Sequence, residues 1–417
     1  MPVGLDFLFQ RTNSRRTVVE WKRDKQMRYI KPHYYDEFKC IADKCPDTCC
    51  AGWQIVIDDD TIKKYEGYVV SSEEAFAKRM SDSIDWEEGC FLQHERRCAM
   101  LNEQNLCDLI TAKGDGFLCE TCNRYPRHVE EFEGLREYSL SLSCPVAAER
   151  MLGMTEQTRF LVEEDDQPDP LEDEFEDFDF MLFTLLEDAR EVIFKIVQNR
   201  QIPIVVRLAI LMEMARDMQD CLDEDRLFDM QDVVEDFDLR LKKLSQAKNW
   251  DECQEDLLPL ILTGEDRYWQ LKDGFEIYTK LERLREEWTD VLEGTYEELY
   301  AVGYKKYEAM HQEFCQEIIK WGLDSQQTWE IFLEQILTFF LYTYFCGAVY
   351  DDCIYSKVAM SVMSTCYIQE FCMYMWVKQE KQISMEECIT IAYRYAREIE
   401  HSDPNLNDLE QWLMDRR

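Results

Sequence analysis

Cys40-Ile-Ala-Asp-Lys-Cys45-Pro-Asp-Thr-Cys49-Cys50 gathers four cysteines into one short stretch, and this stretch decides how the front of the chain folds. Ten of the 18 cysteines lie between Cys40 and Cys144, whereas the others are scattered without ligand-like spacing. In an intracellular protein, thiols this close together usually bind a metal or an iron–sulfur cluster rather than forming disulfides. The sequence therefore predicts a metal-binding or cluster-binding module in the first third.

The metal ligands that we predict are nine cysteines of this region. They are Cys40, Cys45, Cys49, Cys50, Cys98, Cys107, Cys119, Cys122 and Cys144. Soft thiolates suit both zinc and iron–sulfur clusters, and spacing alone favours neither. The side chains of the adjacent Cys49 and Cys50 are expected to point in different directions, so that one faces the metal while the other supports a second site or the core. The usual Cys-x3-Cys-x2-Cys run of radical S-adenosylmethionine enzymes is absent, because Gly52 occupies its third place.

The chain after the acidic stretch is helical in pattern. Met181, Leu182, Leu185, Leu186 and Ala189 recur at the three-to-four spacing of one helix face, and later segments repeat the pattern. No repeat of fixed period is present, which favours a bundle over a solenoid. The predicted fold class is therefore mainly α, with a cysteine-rich metal- or cluster-binding N-terminal module followed by an α-helical bundle domain.

Charge divides the chain into four predicted parts. Residues 163–179 carry eleven acids and no base, with two prolines, which is typical of a self-repelling linker and lacks the glycine turn of a calcium loop. The basic segment before Met27 reads as a tail or a start-site extension. The predicted parts are a basic tail or start-site extension over 1–26, the cysteine-rich module over 27–160, an acidic linker over 161–180 and an acidic helical domain over 181–417.

Composition limits the partners of the chain. A net charge of -39 repels phosphates, so nucleic acid and anionic membrane are not expected to bind. An apolar content of 46% is high enough for a globular fold despite that charge. No export signal is visible, and no window approaches the roughly 18 uninterrupted apolar residues that a membrane span needs. We therefore expect a cytoplasmic protein.

Five segments of the first third carry a resemblance to a known family. They are Tyr34-Tyr-Asp-Glu-Phe-Lys-Cys40, Cys49-Cys-Ala-Gly-Trp-Gln-Ile-Val-Ile-Asp58, Cys98-Ala-Met-Leu-Asn-Glu-Gln-Asn-Leu-Cys107, Leu118-Cys-Glu-Thr-Cys-Asn-Arg-Tyr-Pro-Arg127 and Glu137-Tyr-Ser-Leu-Ser-Leu-Ser-Cys-Pro-Val-Ala-Ala148. They resemble the flagellin lysine-N-methylase family, whose wider superfamily is the YkgJ-type CxxCxxCC group of zinc- or iron-chelating proteins. In this chain the double cysteine is preceded by intervals of four and three residues rather than two and two. The resemblance covers roughly residues 27 to 150.

The resemblance implies a cytoplasmic enzyme that moves a methyl group from S-adenosylmethionine to lysine side chains of flagellin. It also implies a [4Fe–4S] cluster held by the matching cysteines, with zinc as the alternative. Both a polar and a radical transfer route stay open. Arg124 and Arg127 are candidate partners for the carboxylate of S-adenosylmethionine or for the charge of the cluster, the alternative for each being a salt bridge at a helix end.

Two other classes of protein fit the same residues. In the first, zinc stabilises the N-terminal module and the acidic helices bind a basic partner, with no enzyme activity. In the second, the chain is a redox or metal-delivery protein whose cluster senses oxygen. Visible absorption after anaerobic purification would separate iron–sulfur chemistry from zinc.

Overall fold

The described chain is mainly helical, as the sequence predicts. The computed structural model describes residues 27–171, 175, 178–246, 264–320 and 328–417. The predicted tail over 1–26 and part of the predicted linker (residues 172–174, 176 and 177) lie outside these ranges.

Strands are confined to the front of the described chain. They are β1 Met27–Pro32, β2 Ile84–Asp85, β3 Cys90–Phe91, β4 Gln93–His94, β5 Arg97–Cys98, β6 Arg127–Phe132, β7 Leu135–Leu140 and β8 Phe160–Asp165. Four of them form one sheet in the order β6-β7-β1-β8. Strands β6 and β7 form a hairpin that turns at Gly134, whose φ of +69° favours glycine. Strand β1 pairs in parallel with β7 and antiparallel with β8.

The helices run from the cysteine-rich segment to the end of the chain. They are α1 Asp59–Ser71, α2 Ala75–Ser81, α3 Asp108–Lys113, α4 Glu120–Arg124, α5 Pro145–Leu152, α6 Phe180–Val197, α7 Ile204–Asp223, α8 Asp229–Gln246, α9 Gly264–Lys280, α10 Glu286–Thr295, α11 Tyr304–Ile319, α12 Trp329–Tyr344, α13 Ala348–Asp351, α14 Ile354–Lys378, α15 Met385–Glu400 and α16 Asp403–Met414. A π-helical turn, Tyr296–Tyr300, follows α10. Helix α14 lies at the centre and contacts α7, α12, α15 and α16.

The acidic stretch begins as a strand rather than as a linker. Residues 161–165, which the sequence assigns to the linker over 161–180, belong to β8, and this strand pairs with the whole of β1. The strand lies at the edge of the sheet, where most of its acids face water, and Lys31 pairs with Glu163 at 3.0 Å. Acidic residues are tolerated there because an edge strand needs only one buried face.

One large hydrophobic core unites the four-stranded sheet with the helices. Ile30, Phe132 and Leu140 of the sheet pack in the same cluster as Phe183 and Phe340 of the helical part. Buried ion pairs cross the same junction: Arg190 of α6 donates to Glu137 of β7 at 2.6 Å, and Arg28 of β1 donates to Glu187 at 2.8 Å. The sheet is therefore part of the body of the helical domain.

The segment Trp329–Asp351 is apolar and long enough to cross a membrane, yet 89% of its most apolar window is buried inside the protein. Its α12 contacts α5, α6, α7 and α14. A helix that other helices surround in this way serves as a core element of a globular fold.

A second, smaller hydrophobic core belongs to the cysteine-rich segment. Its buried members include Ile55, Tyr65, Phe91, Cys98 and Cys119, and they come from the loop before α1, the helices α1 to α4 and the short strands and loops between them. The two-residue strands give this module little backbone pairing. A small core with little pairing needs additional stabilisation.

Candidate functional site

The double-cysteine loop packs against the C-terminal half of α15. Asp47 lies between two arginines of the helical body, with Arg285 at 2.7 Å and Arg397 at 2.6 Å. Arg397 is 1% exposed and also donates to the backbone carbonyls of Asp47 and Ser143, each at 2.8 Å. One buried guanidinium therefore holds together the loop that carries Cys45 and the turn before Cys144.

Four cysteines, which we call the loop thiols, lie near one another on this side of the loop. They are Cys40, Cys45, Cys49 and Cys144. Burial raises the pKa of Cys144 above its ordinary value, and the neighbouring Cys45 thiol adds to the shift. Burial likewise raises the pKa of Cys45, with a further contribution from Cys40, whereas Arg397 opposes both shifts. The arginine thus favours the thiolate form that metal binding requires.

Five other cysteines, the core thiols, belong to the small core. They are Cys50, Cys98, Cys107, Cys119 and Cys122. Burial raises the pKa of Cys98 to about 12, and the neighbouring Cys50, Cys107 and Cys119 thiols contribute to the shift. The nine cysteines predicted as metal ligands thus fall into two groups in the fold.

The boundary between the loop thiols and the core thiols falls between the adjacent residues Cys49 and Cys50. The Cys49 and Cys50 thiols share a hydrogen bond, which raises the pKa of Cys49 and lowers that of Cys50 to about 7. The two thiols thus lie close together, and the expectation that one faces a metal while the other supports a second site or the core stays a prediction. Their further neighbours nevertheless differ, since Cys49 faces Cys144 and Cys40 while Cys50 packs on the small core.

The thiols are neighbours without forming a coordination shell. Among the described residues, no three side chains of histidine, cysteine, aspartate or glutamate surround a common point closely enough to hold a metal ion. The cysteines of the same ranges are free thiols. The metal prediction therefore stays a prediction, supported by the grouping of the sulfurs.

A cluster of polar and aromatic side chains, which we call the polar recess, lies beside the loop thiols. Its side chains come from the loop, the sheet and the end of α15: Trp53, Tyr125, Ser141, Ser143, Glu400 and His401. Ser143 is central, because its hydroxyl contacts Tyr125 at 3.1 Å and His401 at 2.9 Å and its backbone N–H donates to Glu400 at 3.1 Å. Trp53 stacks on His401 at a centroid distance of 4.6 Å and donates its indole N–H to the Cys49 carbonyl at 2.7 Å.

Both titratable side chains of the polar recess are desolvated. Burial lowers the pKa of His401, and together with the charges of Arg397 and Arg285 it brings the pKa to about 3. Burial also raises the pKa of Glu400. Both side chains keep some exposed surface although their titratable groups are desolvated.

One carboxylate oxygen of Glu400 accepts hydrogen bonds, and the other has no hydrogen-bond partner. Its Oε2 atom accepts from the Ser141 hydroxyl and from the Ser143 backbone N–H. Its buried Oε1 atom has no hydrogen-bond partner. A desolvated carboxylate oxygen in this state is suited to accept a proton or an ammonium group from a bound molecule.

The two arginines predicted to bind a cofactor make surface contacts in this structure, and their cofactor role stays a prediction. Arg124 pairs with Glu120 one turn away on α4, which is the helix-end salt bridge considered from the sequence. Arg127 is exposed and lies over the Phe38 ring at 5.1 Å. Neither contact reaches the loop thiols.

Sequence reasoning missed the residues that α15 contributes. Arg397 and Glu400 follow Tyr393 at steps of four and three residues, and so continue the buried face of an amphipathic helix. Charged residues on such a face are a usable signal of a buried polar site. Arg397 donates to the backbone carbonyl of Asp47, 350 positions earlier in the chain. No local sequence pattern indicates such a contact.

Comparison with known proteins gives a match to one family and matches to individual relatives. Residues 190–417, more than half of the chain, match the family described as FliB lysine N-methylase C-terminal domain. The chain is 30% identical over 136 residues to a lysine-N-methylase of Salmonella choleraesuis, which covers 31% of this chain and 33% of that protein. It is 30% identical over 137 residues to the flagellar biosynthetic protein FliU of Salmonella muenchen, and this alignment covers 31% of this chain and 79% of that protein. The aligned part thus spans about a third of the length of the lysine-N-methylase, and no solved structure matches.

Proposed function

This chain belongs to the FliB lysine N-methylase family, and on that premise we propose that it methylates lysine side chains of flagellin, with S-adenosylmethionine as the methyl donor. The reaction site that we propose is the polar recess at the end of α15. The observation that carries this assignment is the desolvated Glu400 carboxylate, whose Oε1 atom has no partner. The flagellar name of a relative supports a flagellar substrate.

The proposed chemistry begins with proton removal from lysine. A lysine ammonium has no lone pair, so it must lose a proton before it can attack a methyl group. Glu400 Oε1 accepts this proton, and its raised pKa makes it a stronger base than an exposed carboxylate. The amine lone pair then forms the new bond to the methyl carbon. The carbon–sulfur bond breaks with its electron pair on sulfur, leaving S-adenosylhomocysteine and a methylated ammonium.

The surroundings of the recess favour a lysine as the group that enters. Glu400, Glu130 and Glu410 all act electrostatically on Tyr344, so carboxylates converge on this part of the protein. Their field attracts an ammonium, and desolvation on entry lowers the pKa of the amine toward that of the acceptor. Trp53 and Tyr125 both contact the ring of His401, the residue after Glu400, and their aromatic surface suits the aliphatic part of a lysine side chain.

We further propose that the loop thiols hold the iron–sulfur cluster. Four thiols fit a [4Fe–4S] cluster in number, and Arg397 and Arg285 supply positive charge near its negatively charged ligands. Trp53 connects the loop thiols with the polar recess, because it donates to the Cys49 carbonyl and stacks on His401. When bound, the cluster would supply one-electron chemistry beside the recess.

The test is methylation of flagellin by the purified protein with isotope-labelled S-adenosylmethionine, read by mass spectrometry of flagellin lysines. Glu400→Gln keeps the shape of the side chain and removes its basicity. We expect this variant to lower kcat by about 100-fold or more, the usual contribution of a general base, with KM for the methyl donor unchanged.

Glu386→Gln serves as the matched control, since Glu386 is an exposed carboxylate in the first turn of the same helix. It should retain full activity. Label-free flagellin after incubation with the wild-type protein would refute the enzyme proposal. Full activity of Glu400→Gln would refute the assigned role of Glu400.

A further inference from the structure

An open groove with aromatic walls lies on the helical body, between α9 and the π-helical turn that follows α10. It has a volume of about 380 Å³, which is within the range of ligand-binding clefts. No residue that we assign to the polar recess lines it. The side chains that line it and carry the argument are Trp269, Lys272, Asp273, Phe275, Glu276 and Tyr296.

Two large aromatic side chains of this groove are open to solvent. Trp269 is 52% exposed and Tyr296 is 46% exposed. Trp269 donates its indole N–H to Glu265 at 3.2 Å, and Tyr296 stacks on the buried Phe275 ring at a centroid distance of 6.4 Å. Tryptophan and tyrosine are enriched among the residues that dominate protein–protein binding energy. A groove with two exposed rings is therefore typical of an interaction surface.

The groove already holds a lysine side chain of this chain. The Lys272 ammonium lies over three rings, at 5.7 Å from the centroid of Tyr268, 5.4 Å from that of Trp269 and 6.0 Å from that of Tyr296. It also donates to the Tyr300 carbonyl at 3.0 Å. An ammonium over aromatic faces is stabilised by the ring quadrupoles. The groove thus has the chemistry that accepts a lysine side chain.

The charge around the groove favours a cationic guest. The Glu276 carboxylate pairs with Lys280 at 2.7 Å, and the Arg416 Nε atom lies 4.0 Å from an Asp273 oxygen. These side chains are all at least 45% exposed, and such pairs contribute little stability, so a guest ammonium replaces either cation at small cost. Residues 286–300, which supply Tyr296, contain no base and six exposed carboxylates: Glu286, Glu287, Asp290, Glu293, Glu297 and Glu298.

We propose that this groove binds a lysine-bearing segment of the protein substrate, with one lysine side chain lying between the rings of Trp269 and Tyr296. Its ammonium faces the carboxylates of Asp273 and Glu276. The proposal rests on the function proposed above, because the partner is the protein whose lysines are methylated. A docking site separate from the polar recess raises the effective concentration of the reacting lysine without taking part in the chemistry.

The experiment measures binding of monomeric flagellin to the full-length protein without the methyl donor, so that no reaction takes place. We expect Trp269→Ala and Tyr296→Ala each to weaken binding about 10-fold or more, as the loss of an aromatic anchor does. Lys272→Met should strengthen binding, because it removes the cation that competes for the same rings. Binding to the wild-type protein should weaken as the ionic strength rises.

Phe228→Ala is the matched control, because Phe228 is an aromatic side chain that is 79% exposed between α7 and α8. It should bind flagellin as tightly as the wild-type protein does. Equal weakening by Phe228→Ala and Trp269→Ala, or weaker binding to Lys272→Met, would overturn the proposal. Self-association of the wild-type protein that Trp269→Ala abolishes would assign the groove to a second copy of the chain and would overturn it as well.

Failure of the docking site and failure of the proposed reaction give different results. Flagellin that binds through the groove but is not methylated would support the docking site and refute the enzyme proposal. Flagellin that is methylated with the same KM by the wild-type protein and by Trp269→Ala would support the enzyme proposal and refute the docking site.

Hydrogen–deuterium exchange of the wild-type protein covers the possibility that the alanine variants fail to fold. Bound flagellin should slow exchange in residues 268–276 and 293–300, which form the two walls of the groove. Unchanged exchange in both segments while flagellin is bound would contradict the proposal even if every variant were insoluble.

Discussion

At the scale of single residues, Arg397 determines the geometry of the candidate site. Its side chain is 1% exposed and bonds to two segments that lie far apart in the sequence, the Cys45–Cys50 loop and the Ser143 turn. Removing one partner of such a buried pair leaves the other charge uncompensated, as Asp47 would be here. The same side chain contributes to the lowered pKa of His401 and so keeps this imidazole neutral in the recess.

Glu398 gives a pH prediction at this scale. Burial raises its pKa from 4.5 to about 7, against the opposing effects of the Leu284 N–H and the charges of Arg283 and Arg285. The folded protein therefore binds this proton more tightly than the unfolded chain. Its contribution to stability is complete below about pH 4.5 and is lost as the pH rises through about 7.

The change that tests this effect is Glu398→Gln, followed by urea unfolding at pH 4.5 and at pH 8. The free energy of unfolding of the wild-type protein relative to the variant should fall by on the order of 3 kcal/mol between the two conditions. Glu287→Gln, a change at an exposed carboxylate of α10, should show no such difference. A pH-independent gap between the wild-type protein and Glu398→Gln would contradict the assigned titration.

At the scale of elements, the junction of β7 and α6 depends on a buried ion pair. Arg190 and Glu137 have side chains that are each 2% exposed, and burial raises the pKa of Glu137. Arg190→Met removes one charge and leaves the other without a partner, which should cost about 3–5 kcal/mol of unfolding free energy. Replacing both residues with methionine should cost less than the single change, because no buried charge then remains. Denaturant unfolding of the three proteins measures both quantities.

The surface pair of α4 provides the comparison for that experiment. Arg124→Met breaks an ion pair whose side chains are 58% and 50% exposed, so its effect should stay within about 1 kcal/mol. A double methionine variant less stable than Arg190→Met alone would show that the ion pair contributes net stability and would disprove the expected order.

The helices and strands also show which parts of the fold can be predicted from local sequence pattern. Helical spacing predicted the helices after residue 180, because each has its own apolar face. The four-stranded sheet was not predicted, since β1 pairs with β7 and β8 more than 100 positions away and no local pattern records such pairing. The cysteines were found because their chemistry is visible in their spacing. Glu400 and His401 were not found, because only the fold brings them to Ser143.

At the scale of the whole molecule, the two hydrophobic cores do not follow the order of the chain. Residues 27–32 and 127–165 supply the sheet to the large core, while the segment between them forms the small one. The cysteine-rich module is thus an insertion between strands of the main body. This arrangement places the double-cysteine loop against α15, where residues from both ends of the chain form one recess.

The insertion predicts the result of cutting the chain at the end of the predicted module. A fragment of residues 27–160 keeps β1, β6 and β7 but lacks most of β8 and the whole of α6. It exposes the apolar face that Phe183 and Phe340 cover and leaves the Glu137 carboxylate without Arg190. We expect this fragment to show no cooperative thermal transition by near-ultraviolet circular dichroism, in contrast to residues 27–417. A cooperative transition in the fragment would mean that the sheet folds without the helices, and would require the cysteine-rich part to be an independent domain as the sequence first indicated.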